Sequence, residues 1–283
     1  MNNLMNIGMN SCYFPDIRII FKFLNPHLMT FKTKESRLLI ALSAFFVANT
    51  ILSEFIGVKI FSVEKSLGFT PVSIDLFGAR NLSFNMSAGS VTWPIVFIMT
   101  DIINEYFGKK QVRFLSVMTA VLVLFLFLMT WVSIHLVPAD FWIHEKINGQ
   151  DLNMNLAFNK IFGQGMWIIF GSVTAFILGQ LLDVSIFHRI KKITGEKALW
   201  LRATGSTVVS QLIDSFVVAF IAFYLNPAYD WPWQTVLAIC LVGYIYKFSV
   251  AVLLTPLLYV VHKVADLYLG KDLSEKLLAE AQK

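Results

Sequence analysis

The sequence predicts an all-α integral membrane protein with six transmembrane helices in one bundle and both termini in the cytoplasm. Three observations indicate this fold class. The 283 residues are 57% hydrophobic and only 14% charged, with a mean hydropathy of +0.66, unlike soluble domains. Apolar runs recur between residues 38 and 261 at about the 20-residue length that crosses ~30 Å of hydrocarbon. Lysine and arginine are concentrated in alternate connecting segments, which predicts their orientation.

One membrane domain is expected over residues 38–262, between two short cytoplasmic segments. Residues 1–37 form the first segment, and 1–28 are interpreted as an over-extended start because Met29 begins an ordinary bacterial start. Residues 263–283 alternate charged residues with leucines, which predicts a short cytoplasmic C-terminal helix or tail. The net charge of +5 is explained by the inner loops, so no nucleic-acid partner is expected.

The first three spans are predicted at residues 38–58, 87–107 and 114–136. Residues 59–86 are expected to form a polar loop. Pro94 lies inside the second span, where a proline removes a backbone hydrogen bond. This predicts a kink, which either lines a cavity or has no function. The third span contains no acidic residue, which favours a scaffold or lipid-facing role.

The last three spans are predicted at residues 166–187, 203–225 and 233–261. Gly171, Ala175 and Gly179 recur at four-residue spacing in the fourth span, which predicts close packing against another helix. Residues 188–202 are expected to be a basic loop. The sixth span is expected to be one long helix that contains Lys247 and Pro256.

Polar residues within these spans predict a substrate site. A charged group at the bilayer centre costs ~2.5 to 3.5 kcal/mol on insertion scales, so such groups normally face the bundle interior. At ~1.5 Å per helical residue, one set falls in a common layer near the midplane, and Asn104 shares a helical face with Asp101. The predicted substrate-binding residues are Asp101, Asn104, Gln211, Asp214, Lys247 and Asn49.

Four further polar residues lie nearer the ends of their spans. They are expected to be gates or proton relay residues, or ordinary interface residues: Glu54, Glu105, Gln180 and Asp183. The embedded charges then comprise five acids against one base, Lys247, which is expected to pair with one of the acids. Surplus acids favour protons, cations or a neutral ligand with N–H donors over an anionic substrate.

An enzymatic function is not expected, and no cofactor or metal is predicted. The sequence contains no H-E-x-x-H, Gly-x-Ser-x-Gly or phosphate-binding glycine motif. An intramembrane hydrolase that uses Asp183 and Asp214, or a structural membrane protein, is the alternative outside transport.

The stretch Thr100-Asp101-Ile102-Ile103-Asn104-Glu105-Tyr106-Phe107-Gly108-Lys109-Lys110 resembles the signature of the queuosine precursor transporter family, six-span bacterial proteins of the vitamin uptake class. The resemblance covers roughly residues 38–265. The other similar stretches are Ser87-Ala88-Gly89, Gln180-Leu181-Leu182-Asp183, Leu199-Trp200-Leu201-Arg202, Gly205-Ser206-Thr207 with Ser210-Gln211 and Asp214, and Lys247 with Thr255-Pro256.

The resemblance implies import of 7-cyano-7-deazaguanine and/or 7-aminomethyl-7-deazaguanine through the bacterial plasma (inner) membrane, for salvage into tRNA modification. A deazaguanine presents N–H and amino donors that one carboxylate accepts in bidentate fashion, and an aromatic ring stacks on the base. We expect Asp101 or Asp214 to bind this donor edge, Gln211 and Asn104 to complete the polar contacts, and Lys247 to hold the second acid. Partners are then the deazapurine and the lipid bilayer. A self-contained secondary transporter and a capture subunit of an ATPase-driven complex both fit, and the oligomeric state is left open.

Overall fold

The computed structural model describes residues 33–147, 149–163, 166–195, 198–227 and 230–281. The interpretation of residues 1–28 as an over-extended start therefore lies outside the described residues. Helices predominate in the described part, and five of them are long and apolar enough to cross a membrane. The protein is mainly helical, as expected of an all-α membrane protein.

The helices are α1 (Lys34–Ile56), α2 (Val63–Ser66), α3 (Trp93–His135), α4 (Asp140–Ile143), α5 (Met154–Phe162), α6 (Met166–Thr194), α7 (Leu199–Ala219), α8 (Trp233–Leu253), α9 (Thr255–Leu269) and α10 (Lys271–Glu280). The strands are β1 (Ile60–Ser62), β2 (Ile74–Leu76), β3 (Ala79–Leu82), β4 (Asn85–Ser87), β5 (His144–Ile147) and β6 (Gln150–Asn153). A 3-10 turn (Ala88–Val91) precedes α3, and a π turn (Phe220–Tyr224) extends α7.

Short antiparallel sheets occupy the segments that the sequence predicted as loops. Strand β1 pairs with β4, β2 with β3, and β5 with β6. Between β2 and β3, Phe77 and Gly78 both have positive φ angles, of 51° and 89°, as a type I′ hairpin turn requires. Because each strand is only three or four residues long, hydropathy alone gives little signal for it.

Helix α3 is interrupted at Gly108, whose φ of 80° and ψ of 170° are not helical. Before this point α3 runs parallel to α6, because Thr100 Oγ1 lies 3.5 Å from Gln180 Oε1 and Asn104 Oδ1 lies 2.6 Å from His188 Nε2. Glycine tolerates this φ without the penalty that a Cβ imposes.

Beyond Gly108 the contacts with α6 run in the opposite direction. Arg113 Nη2 lies 3.3 Å from Ser185 Oγ, and near the end of α3 the Ile134 side chain lies beside Gly163, just before α6 begins. Helix α3 is therefore a helical hairpin with its reversal at Gly108. This matches the predicted separation of the second and third spans, although the connection is one residue rather than the six expected at 108–113.

The second span differs from prediction at its N-terminus. The helix begins at Trp93, because Asn85–Ser87 form a strand and Ala88–Val91 a 3-10 turn. Pro94 consequently lies in the first helical turn, where its missing N–H would have no intrahelical partner in any case. The predicted kink at Pro94 is wrong.

The predicted sixth helix is divided at Leu254, one residue before α9 begins with Thr255 and Pro256. The C-terminal residues form a helix, α10, rather than a tail. Its Leu277 is buried, and a Cβ at Gly108 would lie 3.3 Å from the carbonyl oxygen of Ala281. Helix α10 therefore packs under the turn of the α3 hairpin.

The close packing predicted for the fourth span is confirmed between α6 and α7. A Cβ at Gly171 would lie 3.3 Å from the Cβ of Ile221, and one at Gly179 would lie 3.5 Å from the Cβ of Asp214. Ala175, between them, is fully buried. This contact brings the polar residues of α6 and α7 together in the core.

Candidate functional site

A cavity lies between the first half of α3, helices α7 and α8, and the start of α9. It contains about 610 Å³ free of protein atoms, including the part open to the surroundings. The polar residues that line it are Ser90, Asp101, Thr204, Thr207, Gln211, Lys247 and Thr255, and the aromatic ones are Trp93, Phe97 and Tyr246.

Asp101 is the acid in this cavity wall. Its side chain is buried, with the residue 4% exposed, and its Oδ1 atom has no hydrogen-bond partner within the described part of the chain. A buried polar atom without a partner is costly, and for an ionised group the cost is larger still. Asp101 therefore contributes a carboxylate to the cavity wall, while its Oδ1 atom is itself closed off from the open space.

Gln211 and Lys247 reach the same cavity from α7 and α8. Thr207 precedes Gln211 by four residues, so both lie on one face of α7. Lys247 Nζ lies 2.7 Å from Asp214 Oδ2, and their side chains are 26% and 20% exposed. Asp214 is thus the acid that holds the ammonium group, and it does not itself line the cavity.

Besides Asp214, two residues predicted for the substrate site lie outside the cavity wall, Asn49 and Asn104. Asn49 Nδ2 donates to the Thr92 carbonyl at 3.0 Å, which joins α1 to the start of α3. Asn104 Oδ1 accepts from His188 Nε2 at 2.6 Å. Neither residue lines the cavity. A step of three residues leaves Asn104 about 60° from Asp101 around the helix, on the side that meets His188 of α6.

Glu105 lies in a buried ion-pair centre. Arg202 binds it in bidentate fashion, with Nη2 to Oε1 at 2.5 Å and Nε to Oε2 at 3.0 Å, and Lys191 Nζ lies 3.3 Å from Oε1. All three side chains are at most 3% exposed. Arg202 also donates to the Gly195 carbonyl at 2.8 Å, which fixes the connection between α6 and α7.

This centre corrects the count of five embedded acids against one base. The predicted basic loop at 188–202 is largely helical, because α6 continues to Thr194 and α7 begins at Leu199. Lys191 and Arg202 therefore point into the protein. The sequence contained one signal for this pairing. Glu105 lies in an apolar helix and therefore requires a cation, and Arg202 is a basic residue near the start of α7.

Asp183 and Gln180 are buried on α6 beside the cavity wall. Asp183 Oδ1 accepts hydrogen bonds from Ser210 at 3.2 Å and from Thr207 at 3.4 Å, whereas its Oδ2 has no partner among the described residues. Thr100 donates to Gln180 Oε1 at 3.5 Å. Thr207 connects Asp183 with the cavity, because this residue also lines it.

Glu54 is separate from this group. Both of its carboxylate oxygens lie 2.9 Å from the Ser172 hydroxyl, so the residue joins α1 to α6. It is partly buried and does not line the cavity.

Another polar cluster, centred on Asp266, joins α9 and α10 to the α3 hairpin. Asp266 Oδ1 accepts from Tyr106 at 2.6 Å and from Ser274 at 2.5 Å, and Asp266 Oδ2 lies 3.1 Å from His262 Nδ1. Partial burial alone would raise the pKa of Asp266, but the hydrogen bonds from Ser274 and Tyr106 and the nearby His262 outweigh it and lower that pKa below its usual range.

Comparison with known proteins decides the family. A family model described as "Putative vitamin uptake transporter" matches residues 87–261. A Bacillus subtilis protein named "Probable queuosine precursor transporter" is 30% identical over 203 residues, which cover 70% of this chain and 82% of that protein. The chain belongs to the queuosine precursor transporter family. The matched residues contain every charged residue of the cavity wall.

Two further relatives of this family share 28% identity with the chain. The Haemophilus influenzae "Probable queuosine precursor transporter" aligns over 152 residues, 53% of this chain and 57% of that protein. The Escherichia coli "Queuosine precursor transporter" aligns over 186 residues, 64% of this chain and 72% of that protein. No solved structure gives a significant match. Family membership and the long apolar helices identify the chain as a multi-pass membrane protein of a transporter family.

Proposed function

We propose that the protein imports queuosine precursors, 7-cyano-7-deazaguanine and/or 7-aminomethyl-7-deazaguanine, across the bacterial inner membrane for salvage into tRNA modification. The observation that carries this proposal is the cavity. It presents the buried Asp101 carboxylate, whose Oδ1 has no partner among the described residues, beside an amide and aromatic rings, in a chain whose relatives are named for queuosine precursors.

The proposed topology has six spans and cytoplasmic termini, with one membrane domain at 38–262. A straight helix of 43 residues would be ~65 Å long, about twice the ~30 Å hydrocarbon thickness. The reversal at Gly108 divides α3 into two crossings, each antiparallel to the other. Of 23 Lys and Arg residues, 17 then fall in inner segments and 5 in outer ones, which supports this orientation.

Asp101 is proposed to accept the amino and ring N–H groups on the pyrimidinone edge of the base. A carboxylate accepts two parallel N–H donors well, and such charge-assisted bonds are about twice as strong as neutral ones. Asp214 is less suited to this role because Lys247 already occupies it at 2.7 Å. Gln211 is proposed to donate a hydrogen bond from its side-chain amide to the carbonyl oxygen of the base.

Trp93, Phe97 and Tyr246 supply the apolar part of the site. Stacking of a base on an aromatic ring contributes ~1 to 3 kcal/mol in other systems. The Lys247–Asp214 pair, neutral as a unit, is proposed to border the site. The amide–carboxylate wall suits a neutral base with several donors, whereas a phosphate would be repelled by Asp101.

Uptake into proteoliposomes that contain only the purified full-length chain tests this function. Wild-type protein is expected to take up radiolabelled 7-cyano-7-deazaguanine, and Asp101→Asn to lose most of that uptake. Asp140→Asn, the same change at the exposed start of α4, is the matched control and should transport normally.

Two results would separate the alternatives. Wild-type binding without uptake would indicate a capture subunit that needs an ATPase-driven partner. Absence of both binding and uptake in correctly inserted wild-type protein would overturn the substrate assignment.

A further inference from the structure

We infer that Asp101 and Asp183 form a pair that holds one proton, and that this proton crosses the membrane with the substrate. The inference rests on the proposed transport function and adds its driving ion. It assigns to Asp183, which does not line the cavity, the role of proton site. Asp101 remains the residue that touches the substrate.

Helix contacts place Asp101 and Asp183 on stretches of α3 and α6 that face each other. Thr100, next to Asp101, reaches Gln180, and Asn104 reaches His188, so Asp183 lies between the two points where α6 meets this part of α3. Thr207 touches both the cavity and Asp183, at 3.4 Å from Asp183 Oδ1.

Each member of the pair keeps one buried oxygen without a hydrogen-bond partner in the described part of the chain, Oδ1 of Asp101 and Oδ2 of Asp183. The residues are only 4% and 0% exposed. Two ionised carboxylates in such a place repel each other, and neighbouring carboxylates that share a site normally share a proton. One proton between them supplies a donor to an oxygen that otherwise has none.

The surrounding charges also require one proton. Asp101, Asp183 and Glu105 are three buried acids of this region, and among the described residues Arg202 and Lys191 are the two bases paired with Glu105. With all five groups ionised, the buried cluster carries one negative charge in excess. A single proton on the aspartate pair makes the cluster neutral, which is the favourable state in a low-dielectric interior.

Other ionisable groups of the neighbouring helices are engaged with different partners. On α6, His188 hydrogen-bonds to Asn104, while α8 contributes Lys247, which is paired with Asp214 of α7. Helix α1 contributes Glu54, held by Ser172. The phenol of Tyr246 lines the cavity. Glu54 is the other acid that could carry a proton, so it provides the competing assignment for the test.

The proposed step conserves atoms and charge. In the empty site the proton is shared by the two carboxyls. When the base binds, Asp101 accepts two N–H donors and must be ionised, so an O–H bond at Asp101 breaks and one at Asp183 forms. No bond in the substrate changes. After the base leaves toward the cytoplasm, the proton on Asp183 follows, and the carboxylates await a proton from the outside.

A proton suits this arrangement better than a metal cation. Hard cations such as Ca²⁺ and Mg²⁺ take six or more oxygen ligands, whereas a proton needs two oxygens. Asp183 Oδ1 already accepts from the hydroxyls of Ser210 and Thr207, so this carboxylate offers a ligand only its Oδ2 among the described contacts.

The test uses the full-length protein in proteoliposomes loaded with a fluorescent pH dye. With 7-cyano-7-deazaguanine outside, an inward proton gradient is expected to drive accumulation above the outside concentration, with one proton entering per substrate molecule. Accumulation driven by a sodium gradient at constant pH would overturn the inference. Uptake without acidification of the proteoliposome interior would also overturn it.

Two variants test whether Asp101 and Asp183 hold the transported proton. Asp183→Asn is expected to lose both accumulation and substrate-dependent proton entry, while Glu54→Gln keeps one proton per substrate. The reverse pattern would place the proton on Glu54 and contradict the inference.

Because Asp183→Asn could fail to fold, Ser210→Ala gives a milder test. It removes one donor to Asp183 Oδ1 and so favours the protonated form. Uptake is expected to fall as the pH is raised, and the midpoint of this fall should lie about one pH unit higher in Ser210→Ala than in wild type. Ser116→Ala removes another buried hydroxyl, which donates to the Val112 carbonyl, and it should leave that pH unchanged. Identical pH profiles for both variants would contradict the inference.

These results are distinguishable from failure of the proposed function. If wild-type protein neither binds nor exchanges the deazaguanine, the substrate assignment fails. If it exchanges the base across the membrane but moves no proton with it, only the coupling inference fails.

Discussion

Two acids on the same helix, Asp101 and Glu105, have opposite surroundings although they are one helical turn apart. Glu105 receives a bidentate arginine and a lysine, and it is fully buried. Asp101 lies in a cavity wall and keeps an oxygen without a described partner. A satisfied buried acid is expected to hold helices in place, whereas an unsatisfied one beside a cavity is expected to bind something. The comparison separates structural from functional charges in this bundle.

The largest effect is expected at the satisfied acid. Arg202→Met removes the bidentate partner and leaves Glu105 with only Lys191, so the free energy of unfolding should fall by about 3 to 5 kcal/mol. Chemical or thermal unfolding in detergent measures this loss. Arg113→Met, which removes an exposed arginine bonded to Ser185, is the control and should cost less than about 1 kcal/mol. If Arg202→Met and Arg113→Met lost equal free energy of unfolding, Glu105 could not be called a structural acid on this ground.

An intermediate effect is expected for Lys247, whose pair with Asp214 is partly exposed. Lys247→Met should lower the free energy of unfolding by about 1 to 2 kcal/mol, because it leaves the Asp214 carboxylate without its 2.7 Å partner. The double variant Lys247→Met with Asp214→Asn should recover part of this loss. Additive losses would show that the two side chains act independently.

A smaller effect is expected at Asp266, a satisfied acid like Glu105 but outside the spans. Ser274→Ala should cost about 1 kcal/mol, because it removes a donor to the Asp266 carboxylate. The folded-state pKa of Asp266 is lowered, so its stabilisation is present above the usual aspartate pKa and is lost as the pH falls through the lower folded value.

Unfolding of wild type and Ser274→Ala at neutral pH and near pH 3 checks this sign. The difference between the two proteins should shrink at the acidic pH. A difference that grows there would show that Asp266 is not the group that Ser274 stabilises.

The smallest effect on stability is expected at Asp101. Asp101→Asn removes a carboxylate whose Oδ1 has no described partner, so the free energy of unfolding should change by less than about 1 kcal/mol. A loss as large as that of Arg202→Met would mean that Asp101 is as structural as Glu105.

Much of the fold could be predicted because hydropathy and helical rise are local properties of the sequence. The depth estimate placed Asn49, Asp101, Gln211, Asp214 and Lys247 in one layer, and three of these five, Asp101, Gln211 and Lys247, line one cavity. The small residues of the fourth span likewise predicted its packing on α7, because close approach of two helices needs side chains without bulk.

The remaining site features depend on partners that are distant in the sequence. Asn49 and Asn104 have the polarity of ligand-binding residues, but Thr92 and His188 already bind them. Lys191 and Arg202 lie close to helix ends, where basic residues usually indicate topology, yet both are buried against Glu105. Hydropathy cannot distinguish these cases, because the pairing is decided by how α3, α6 and α7 pack.

The most direct test of the account is binding of 7-cyano-7-deazaguanine to purified Asp101→Asn, compared with wild type. Thermal unfolding with and without the compound measures it, since a ligand that binds the folded state raises the melting temperature. Wild type should be stabilised, and Asp101→Asn should fold normally but lose at least tenfold in affinity, as expected for one charge-assisted hydrogen bond. A well-folded Asp101→Asn that binds the compound as tightly as wild type would contradict the central claim.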